Sequence, residues 1–115
     1  MAIPESVKAT ALEHVEAFCE RVPPEHRDEV RIDYAVRGNA ITVVERRPPW
    51  HPGLDPEWTS MKIAQLRYDQ ESGTWTLYCC DRHERWFLYD GVEPSREVTP
   101  LLAEIDEDPT GIFWG

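Results

Sequence analysis

The sequence predicts an α+β fold, a five-stranded antiparallel β-meander with an N-terminal helix and a short C-terminal helix. Three observations lead to it: a helical apolar period at the start of the chain, apolar–polar alternation between residues 29 and 89, and short connections between the predicted strands. With 115 residues the chain is long enough to form one domain, residues 1–115, around its own core.

The first helix is predicted over about residues 4–21. Its apolar residues recur at a spacing of three or four and therefore share one helix face: Val7, Ala11, Val15, Phe18 and Val22. Pro4 suits the first turn, where its missing N–H is not needed. Pro23 and Pro24 cannot continue a helix, so the helix must end before them.

A β-hairpin is predicted next, because residues 30–44 alternate apolar and polar side chains on both sides of Gly38-Asn39. Both of these turn residues tolerate the positive φ of a two-residue hairpin turn. The turn predicts two apolar cross-strand pairs on one sheet face, Val36 with Ile41 and Tyr34 with Val43. The other face would then collect basic side chains and one hydroxyl: Arg31, Arg37, Thr42 and Arg46.

Four prolines in residues 48–58 predict a loop, and three further strands follow at about 61–69, 74–80 and 85–89. A pairing of Cys80 with Arg85 sorts the last two strands into two faces, with Trp75, Leu77, Cys79, Trp86 and Leu88 on one and Thr76, Tyr78, Cys80, Arg85, Phe87 and Tyr89 on the other. These strands complete the predicted sheet over about residues 29–89.

The C-terminal helix is predicted over about residues 99–107, with the Thr99 hydroxyl as its cap and Pro100 in its first turn. The five residues 111–115 form an apolar tail, at a position where most chains fray, so something must cover them. Cover by the chain's own sheet is favoured. The alternative is a partner subunit, which would make the protein a homodimer through this tail.

The chain is acidic, with 22 acids, 12 bases and a net charge of -10. The acidity lies in residues 1–29 and 90–115, whereas residues 30–89 have eight charges of each sign. A negative net charge repels the phosphates of nucleic acids and membrane surfaces, so it argues against general binding of either. We expect a cytoplasmic protein, because no apolar run approaches the ~20 residues of a membrane span and the N-terminus lacks a signal-peptide pattern.

A candidate ligand-binding site is predicted around the end of the second strand and the loop after it. Its residues are Glu45, Arg46, Arg47, Trp50, His51, Trp58, Arg67 and Arg85. The hairpin register places the Glu45 carboxylate on the apolar face opposite Ile32, where a charged group needs a partner.

Two interpretations of this site are open. In the structural one, Glu45 is bonded to an arginine such as Arg67 or Arg85, and the tryptophans close the sheet edge. In the functional one, Arg47, Arg67 or Arg85 grips an anion while Trp50 and Trp58 stack on it. The structural interpretation is favoured, because most buried ion pairs in small domains bind no ligand.

One short stretch of the sequence contains several residue types that bind metals. Cys79, Cys80, Asp81 and His83 are zinc-type ligands within five residues, but adjacent strand residues point to opposite faces and no CxxC pair is present. The chain has no nucleophile elbow, glycine-rich phosphate loop or HExxH motif. We therefore expect no metal and no cofactor.

Four stretches resemble one known family: Leu101–Gly115, Val44–Trp50 (VERRPPW), Leu66–Asp69 (LRYD) and Thr74–Tyr78 (TWTLY). The family is the bacterial domain-of-unknown-function family numbered three thousand and twenty-four. The resemblance covers nearly the whole chain. It implies a small single-domain bacterial protein, and since the family has no established activity it implies no substrate and no site residue.

The sequence leaves three functions open for this protein. The leading one is a non-enzymatic binding or interaction protein, because no catalytic signature is present. The first alternative is a small enzyme that uses Glu45 or His51 as a base in an Arg/Glu/Trp anion-binding pocket. The second alternative is single-stranded nucleic-acid binding on the sheet face that would carry Tyr78, Phe87, Tyr89 and Arg85, which the net charge opposes.

Overall fold

The computed structural model describes residues 3–49 and 57–114. In chain order they form α1 (Glu5–Cys19), a short 3-10 helix (Pro24–His26), β1 (Arg31–Arg37), β2 (Ala40–Arg47), β3 (Thr59–Asp69), β4 (Thr74–Cys80), β5 (Trp86–Leu88) and α2 (Thr99–Glu107). The five strands form one antiparallel sheet in the order β1-β2-β3-β4-β5. The predicted α+β meander with a helix at each end is thus confirmed.

The helix ends differ from prediction in detail. Helix α1 ends at Cys19, two residues before the predicted end. Helix α2 spans the predicted residues, but the predicted Thr99 cap is wrong, because Val98 occupies the N-cap position and no side chain caps the helix. Val98 already has right-handed helical φ and ψ, and its carbonyl accepts from Leu102 N–H at 2.9 Å. Thr99 therefore lies inside the helix and not before it.

The predicted register of the β1–β2 hairpin is confirmed. Tyr34 pairs with Val43 and Val36 pairs with Ile41, and Glu45 lies opposite Ile32. The turn needs only one left-handed residue: Gly38 has a φ of 59°, whereas Asn39 is not among the residues with positive φ. This is the pattern of a two-residue turn whose first central residue is glycine.

The register of the β4–β5 hairpin differs from prediction by one residue. Cys80 pairs with Trp86, not with Arg85, because the turn has three residues between Asp81 and Arg85. Glu84 takes a left-handed φ of 62°, and Asp81 N–H donates to Arg85 O at 3.0 Å. A shift of one residue exchanges the two faces of a strand. The predicted faces of β5 are therefore reversed.

Both helices pack on one face of the sheet, which we call the helix face. The buried core lies between them: Ile3, Ala11, Val15, Ile41, Val43, Ile63, Ala64, Leu66, Trp75, Leu77, Cys79, Tyr89, Val98, Leu101, Leu102, Ile105 and Phe113. The β2–β3 register shifts between Val43 and Val44, and this bulge lets the adjacent residues Ile63 and Ala64 both be buried.

The opposite face of the sheet is called the open face. Its side chains follow from the strand pairing: Arg31, Asp33, Ala35, Arg37, Ala40, Thr42, Val44, Arg46, Ser60, Lys62, Gln65, Arg67, Asp69, Thr74, Thr76, Tyr78, Cys80, Trp86 and Leu88. Each of them is at least partly exposed, and none belongs to the core cluster of the described residues. Neither helix therefore covers this face.

The C-terminal tail folds back onto the chain's own core. Phe113 is buried, and the Trp114 indole N–H donates to Ile105 O at 2.8 Å. The Asp108 carboxylate accepts from the backbone N–H groups of Phe113 and Trp114, at 3.0 and 2.8 Å. The chain itself thus covers Phe113, but the side-chain hydrogen bonds of the tail go to Asp108 and to α2 and not to the sheet, and the homodimer stays a prediction. No described helix is long and apolar enough to cross a membrane.

Candidate functional site

The structure places Glu45 on the helix face with a partner that differs from prediction. Glu45 is buried opposite Ile32, and its Oε1 accepts from Arg47 Nε at 2.6 Å. The predicted partners Arg67 and Arg85 were therefore wrong. Arg47 lies two residues along the same strand, so its side chain emerges on the face of Glu45 and reaches the carboxylate directly.

Arg67 and Arg85 have partners of their own. Arg67 lies on the open face, where its Nε donates to Gln65 Oε1 at 2.6 Å. Arg85 stabilises its own turn: its backbone N–H donates to Asp81 Oδ1 at 3.0 Å and its Nε to Asp81 Oδ2 at 3.1 Å. The backbone hydrogen bond from Arg85 is the main cause that lowers the pKa of the Asp81 carboxyl.

The remaining predicted site residues also lie in different parts of the structure. Trp58 lies under the Arg31 guanidinium, with 4.3 Å between the guanidinium carbon and the ring centre. Arg46 is on the open face, where its Nη1 is 3.8 Å from Asp33 Oδ2. Trp50 and His51 lie outside the described residues. The structure therefore brings Glu45 and Arg47 of the predicted set into contact, and it distributes the other described members over the open face and the β4–β5 turn.

Glu45 nevertheless lines a cavity. An open space of about 350 Å³ lies between the end of α1, the 3-10 helix, β1 and the tail, and Glu45, His26, Glu29, Arg21 and Trp114 are among the residues that line it. Arg21 stacks on Trp114 at 5.2 Å. Besides the predicted Arg47, the cavity of Glu45 thus contains a second arginine and a tryptophan, Arg21 and Trp114, that were not in the predicted set.

A second cluster crosses the open face. Gln65 Nε2 donates to Thr42 Oγ1 at 2.9 Å, and Gln65 Oε1 accepts from Arg67 Nε. The Arg67 guanidinium lies over the Tyr78 ring at 3.9 Å from its centre. These contacts join β2, β3 and β4 and hold the guanidinium plane in one orientation, while the Nη edge of Arg67 takes no part in the bond to Gln65.

Sequence reasoning missed Thr42 and Gln65 as members of this cluster. The alternation of β3 places Gln65 and Arg67 on one face, which was a usable signal. Their contact with Thr42 and Tyr78 depends on the register of three strands, in which Gln65 pairs with Thr42 on one side and with Tyr78 on the other. The long connection between β2 and β3 leaves this register open in the sequence, so these neighbours could not be identified before the register was known.

The open face is basic although the chain is acidic. Its five basic side chains are Arg31, Arg37, Arg46, Lys62 and Arg67, and its acidic ones are Asp33 and Asp69. The whole chain has 12 bases and 22 acids. Aromatic side chains accompany these cations: Trp58 and Tyr78 beneath arginines, and Trp86 on β5.

This arrangement corrects the aromatic face predicted for nucleic-acid binding. The one-residue shift in β5 moves Phe87 and Tyr89 to the helix face, and Arg85 is bound in its turn. Tyr78 remains on the open face, where Trp86 joins it. The aromatic and basic residues of the open face are therefore a different set from the one predicted.

The thiols lie in surroundings that keep them protonated. Burial is the main cause that raises the pKa of Cys79, and likewise that of Cys19, to about 11. Burial also raises the pKa of Cys80. A nucleophilic cysteine needs a lowered pKa, so this environment is the reverse of a catalytic one. Among residues 3–49 and 57–114, no group of three or more His, Cys, Asp and Glu side chains could hold a metal ion.

The chain matches one known protein family over nearly its whole length. The family model described as Domain of unknown function (DUF3024) matches residues 3–115. No curated protein and no solved structure matches the chain. The resemblance seen in the sequence is confirmed by the family match, and because that match spans nearly every residue, the chain belongs to the DUF3024 family, a domain of unknown function.

Proposed function

We propose that this protein is a small cytoplasmic bacterial binding module, without catalytic activity, that holds a negatively charged partner on the open face of its sheet. One observation carries the proposal: five basic side chains share a face that neither helix covers. In a chain with a net charge of -10, this leaves the open face opposite in sign to the molecule as a whole.

The open face is also suited to recognition because part of it is held rigid. The bond from Arg67 to Gln65 and the stacking on Tyr78 restrict the guanidinium before any ligand arrives. A side chain that is already ordered loses less conformational entropy on binding. The planar fork of arginine can then accept a carboxylate or phosphate through two parallel hydrogen bonds.

A cytoplasmic location is supported by the state of the cysteines. Cys19, Cys79 and Cys80 are all free thiols. Disulfides form mainly in oxidising compartments, and reduced cysteines are typical of the cytosol.

The proposal is tested by binding to an immobilised polyanion, heparin, at low ionic strength. The test variant is Arg37→Glu with Arg67→Glu on the open face. The matched control is Lys8→Glu with Arg96→Glu, which makes the same change in net charge on the helix side of the sheet, because Lys8 lies on α1 and Arg96 lines a cavity together with α1 residues. Circular dichroism melting shows whether each variant is folded.

We expect the wild type and the control to be retained and to elute as salt is raised, because exposed charges are screened by ions. The open-face variant should not be retained. Equal elution of the two double variants would mean that only net charge matters, and the proposal would be wrong. Failure of the wild type to bind would contradict it as well.

A second candidate function, a small enzyme, is supported by the cavity beside Glu45. A buried carboxylate and the His26 imidazole line the same space. Native mass spectrometry of the protein purified from its host tests this candidate. We expect a small bound molecule that Glu45→Gln loses and that the exposed control Arg96→Gln retains. Wild-type protein without a bound mass would count against the enzyme.

A further inference from the structure

Two arginines on the open face have their guanidinium groups over aromatic rings. Arg67 covers Tyr78 at 3.9 Å from the ring centre, and Arg31 covers Trp58 at 4.3 Å. In each pair a hydrogen bond from Nε also restrains the guanidinium: Arg67 donates to Gln65 Oε1 at 2.6 Å and Arg31 donates to Arg27 O at 3.1 Å. The result is a flat, positively charged plane, and a plane of this kind can stack on another planar group.

The two stacked pairs lie at opposite ends of the sheet, with Lys62 between them. Arg67 pairs with Ala40 on β2, whereas Arg31 pairs with Arg46, six residues further along the same strand. Six strand residues span about 20 Å. Lys62, which pairs with Val44, lies between the two ends. The open face therefore presents a row of planar groups and point charges and not a single anion site.

Such a row fits nucleic acid better than an acidic peptide. An acidic peptide would use the cations but has no planar group for each stacked pair, apart from occasional aromatic residues. A nucleic acid supplies both, because its bases stack on aromatic and guanidinium planes while its phosphates contact Lys and Arg.

The nucleic acid must be single-stranded to bind in this way. In a duplex the base planes are stacked on each other, and proteins read base edges in the grooves. Only an unpaired strand can turn its bases onto the sheet. The negative net charge of the whole chain argues against a nucleic-acid ligand. The open face is locally positive, however, because it has five bases and two acids.

We infer that the negatively charged partner of the open face is single-stranded nucleic acid, whose bases stack on the Arg67–Tyr78 and Arg31–Trp58 pairs and whose phosphates contact Arg37, Arg46 and Lys62. The inference rests on the proposed function, since it needs the open face to be the binding surface. It adds the chemical class of the partner.

The experiment is fluorescence anisotropy with labelled oligo-dT and oligo-U of about 12 nucleotides, within the site sizes of about 4–16 nucleotides known for other sheet-based folds. A DNA hairpin duplex and polyglutamate serve as competitors. Tyr78→Leu removes the aromatic plane and keeps an apolar side chain of moderate size. Phe87→Leu is the matched control, because Phe87 is an exposed aromatic residue on the helix face.

We expect Tyr78→Leu to weaken oligonucleotide binding about 5- to 150-fold, the range for loss of one stacked base, and Phe87→Leu to leave binding unchanged. Lys62→Ala, at an exposed position, should reduce the slope of log affinity against log salt by about 0.7, as expected for one phosphate contact to a single strand. This second variant keeps the test valid if Tyr78→Leu does not fold.

Other results would overturn the inference. If duplex or polyglutamate competes as well as single strands do, or if folded Tyr78→Leu binds like the wild type, the open face binds anions by charge alone. The proposed function would then stand and the nucleic-acid class would be wrong. If neither oligonucleotides nor heparin bind the wild type, both are wrong.

Discussion

The guanidinium of Arg67 on β3 lies over the ring of Tyr78 on β4, with 3.9 Å between the guanidinium carbon and the ring centre. The two residues are not directly paired, because Arg67 pairs with Thr76 and Tyr78 pairs with Gln65. The contact is therefore diagonal across the two strands, a separation that aromatic and long side chains can bridge. It joins a cation and a π-system on a face that the helices leave uncovered.

This contact should stabilise the fold measurably. In a double-mutant cycle with Arg67→Met and Tyr78→Leu, we expect a coupling of about 0.5–1 kcal/mol, typical of a cation–π pair near the surface. Urea unfolding of the four proteins supplies the free energies. Arg37→Met with Tyr78→Leu is the control cycle, because β1 and β4 are three strands apart. Additive effects in both cycles would show that the stacking contributes nothing to stability.

A hydrogen bond between Tyr89 and α2 should contribute to stability as well. The Tyr89 hydroxyl donates to Glu104 Oε2 at 2.6 Å, and this bond is the main cause that raises the pKa of Tyr89 to about 12. Tyr89→Phe should lower the free energy of unfolding by about 1–2 kcal/mol. Tyr78→Phe is the control, because the Tyr78 hydroxyl forms no hydrogen bond with any described residue. A loss of equal size in the control would contradict this account.

The Asp108 carboxylate should hold the C-terminal tail in place. It accepts two backbone hydrogen bonds, from Phe113 and Trp114, and its own φ is 45°. Asp108→Ala should cost about 1–3 kcal/mol and speed hydrogen exchange at the two amides, because it removes the acceptor and places alanine in a left-handed conformation. Asp108→Asn, which tolerates that conformation and keeps one acceptor, should cost less. Unchanged exchange in Asp108→Ala would show that core packing alone holds the tail.

Stability should fall in alkaline solution because of the buried thiol of Cys79. The pKa of Cys79 is raised from 9.0 to about 11 by burial. Between these values the unfolded chain has lost the proton and the folded chain still holds it. The unfolded state thus binds fewer protons, and stability decreases as pH rises.

Urea unfolding between pH 8.5 and 11 measures this dependence. One thiol contributes a slope of at most about 1.4 kcal/mol per pH unit. Cys79→Ala should be less stable at neutral pH, since it leaves a cavity, but its stability should depend less on pH over this range. An equal slope in the wild type and the variant would assign the alkaline loss to other groups, of which Cys19 is one.

The candidate site was harder to predict than the fold, and β5 shows why. The meander followed from alternation and short connections, and the β1–β2 register followed from a two-residue turn around Gly38. The β4–β5 turn offered no glycine, and Glu84 took the left-handed position instead. Left-handed conformations of non-glycine residues are uncommon, so a residue pattern gives little warning of them. The resulting shift moved Trp86 onto the open face.

Residue order alone was enough to establish the α+β meander, the two faces of the first hairpin, the overall acidity and the membership of the DUF3024 family. It could not establish that Arg67 stacks on Tyr78, that Glu45 pairs with Arg47, or that basic residues from three strands share one face that neither helix covers. Alternation assigns each side chain to one side of its own strand. Which strands become neighbours, and in what register, depends on turns, bulges and helix packing that act over the whole chain.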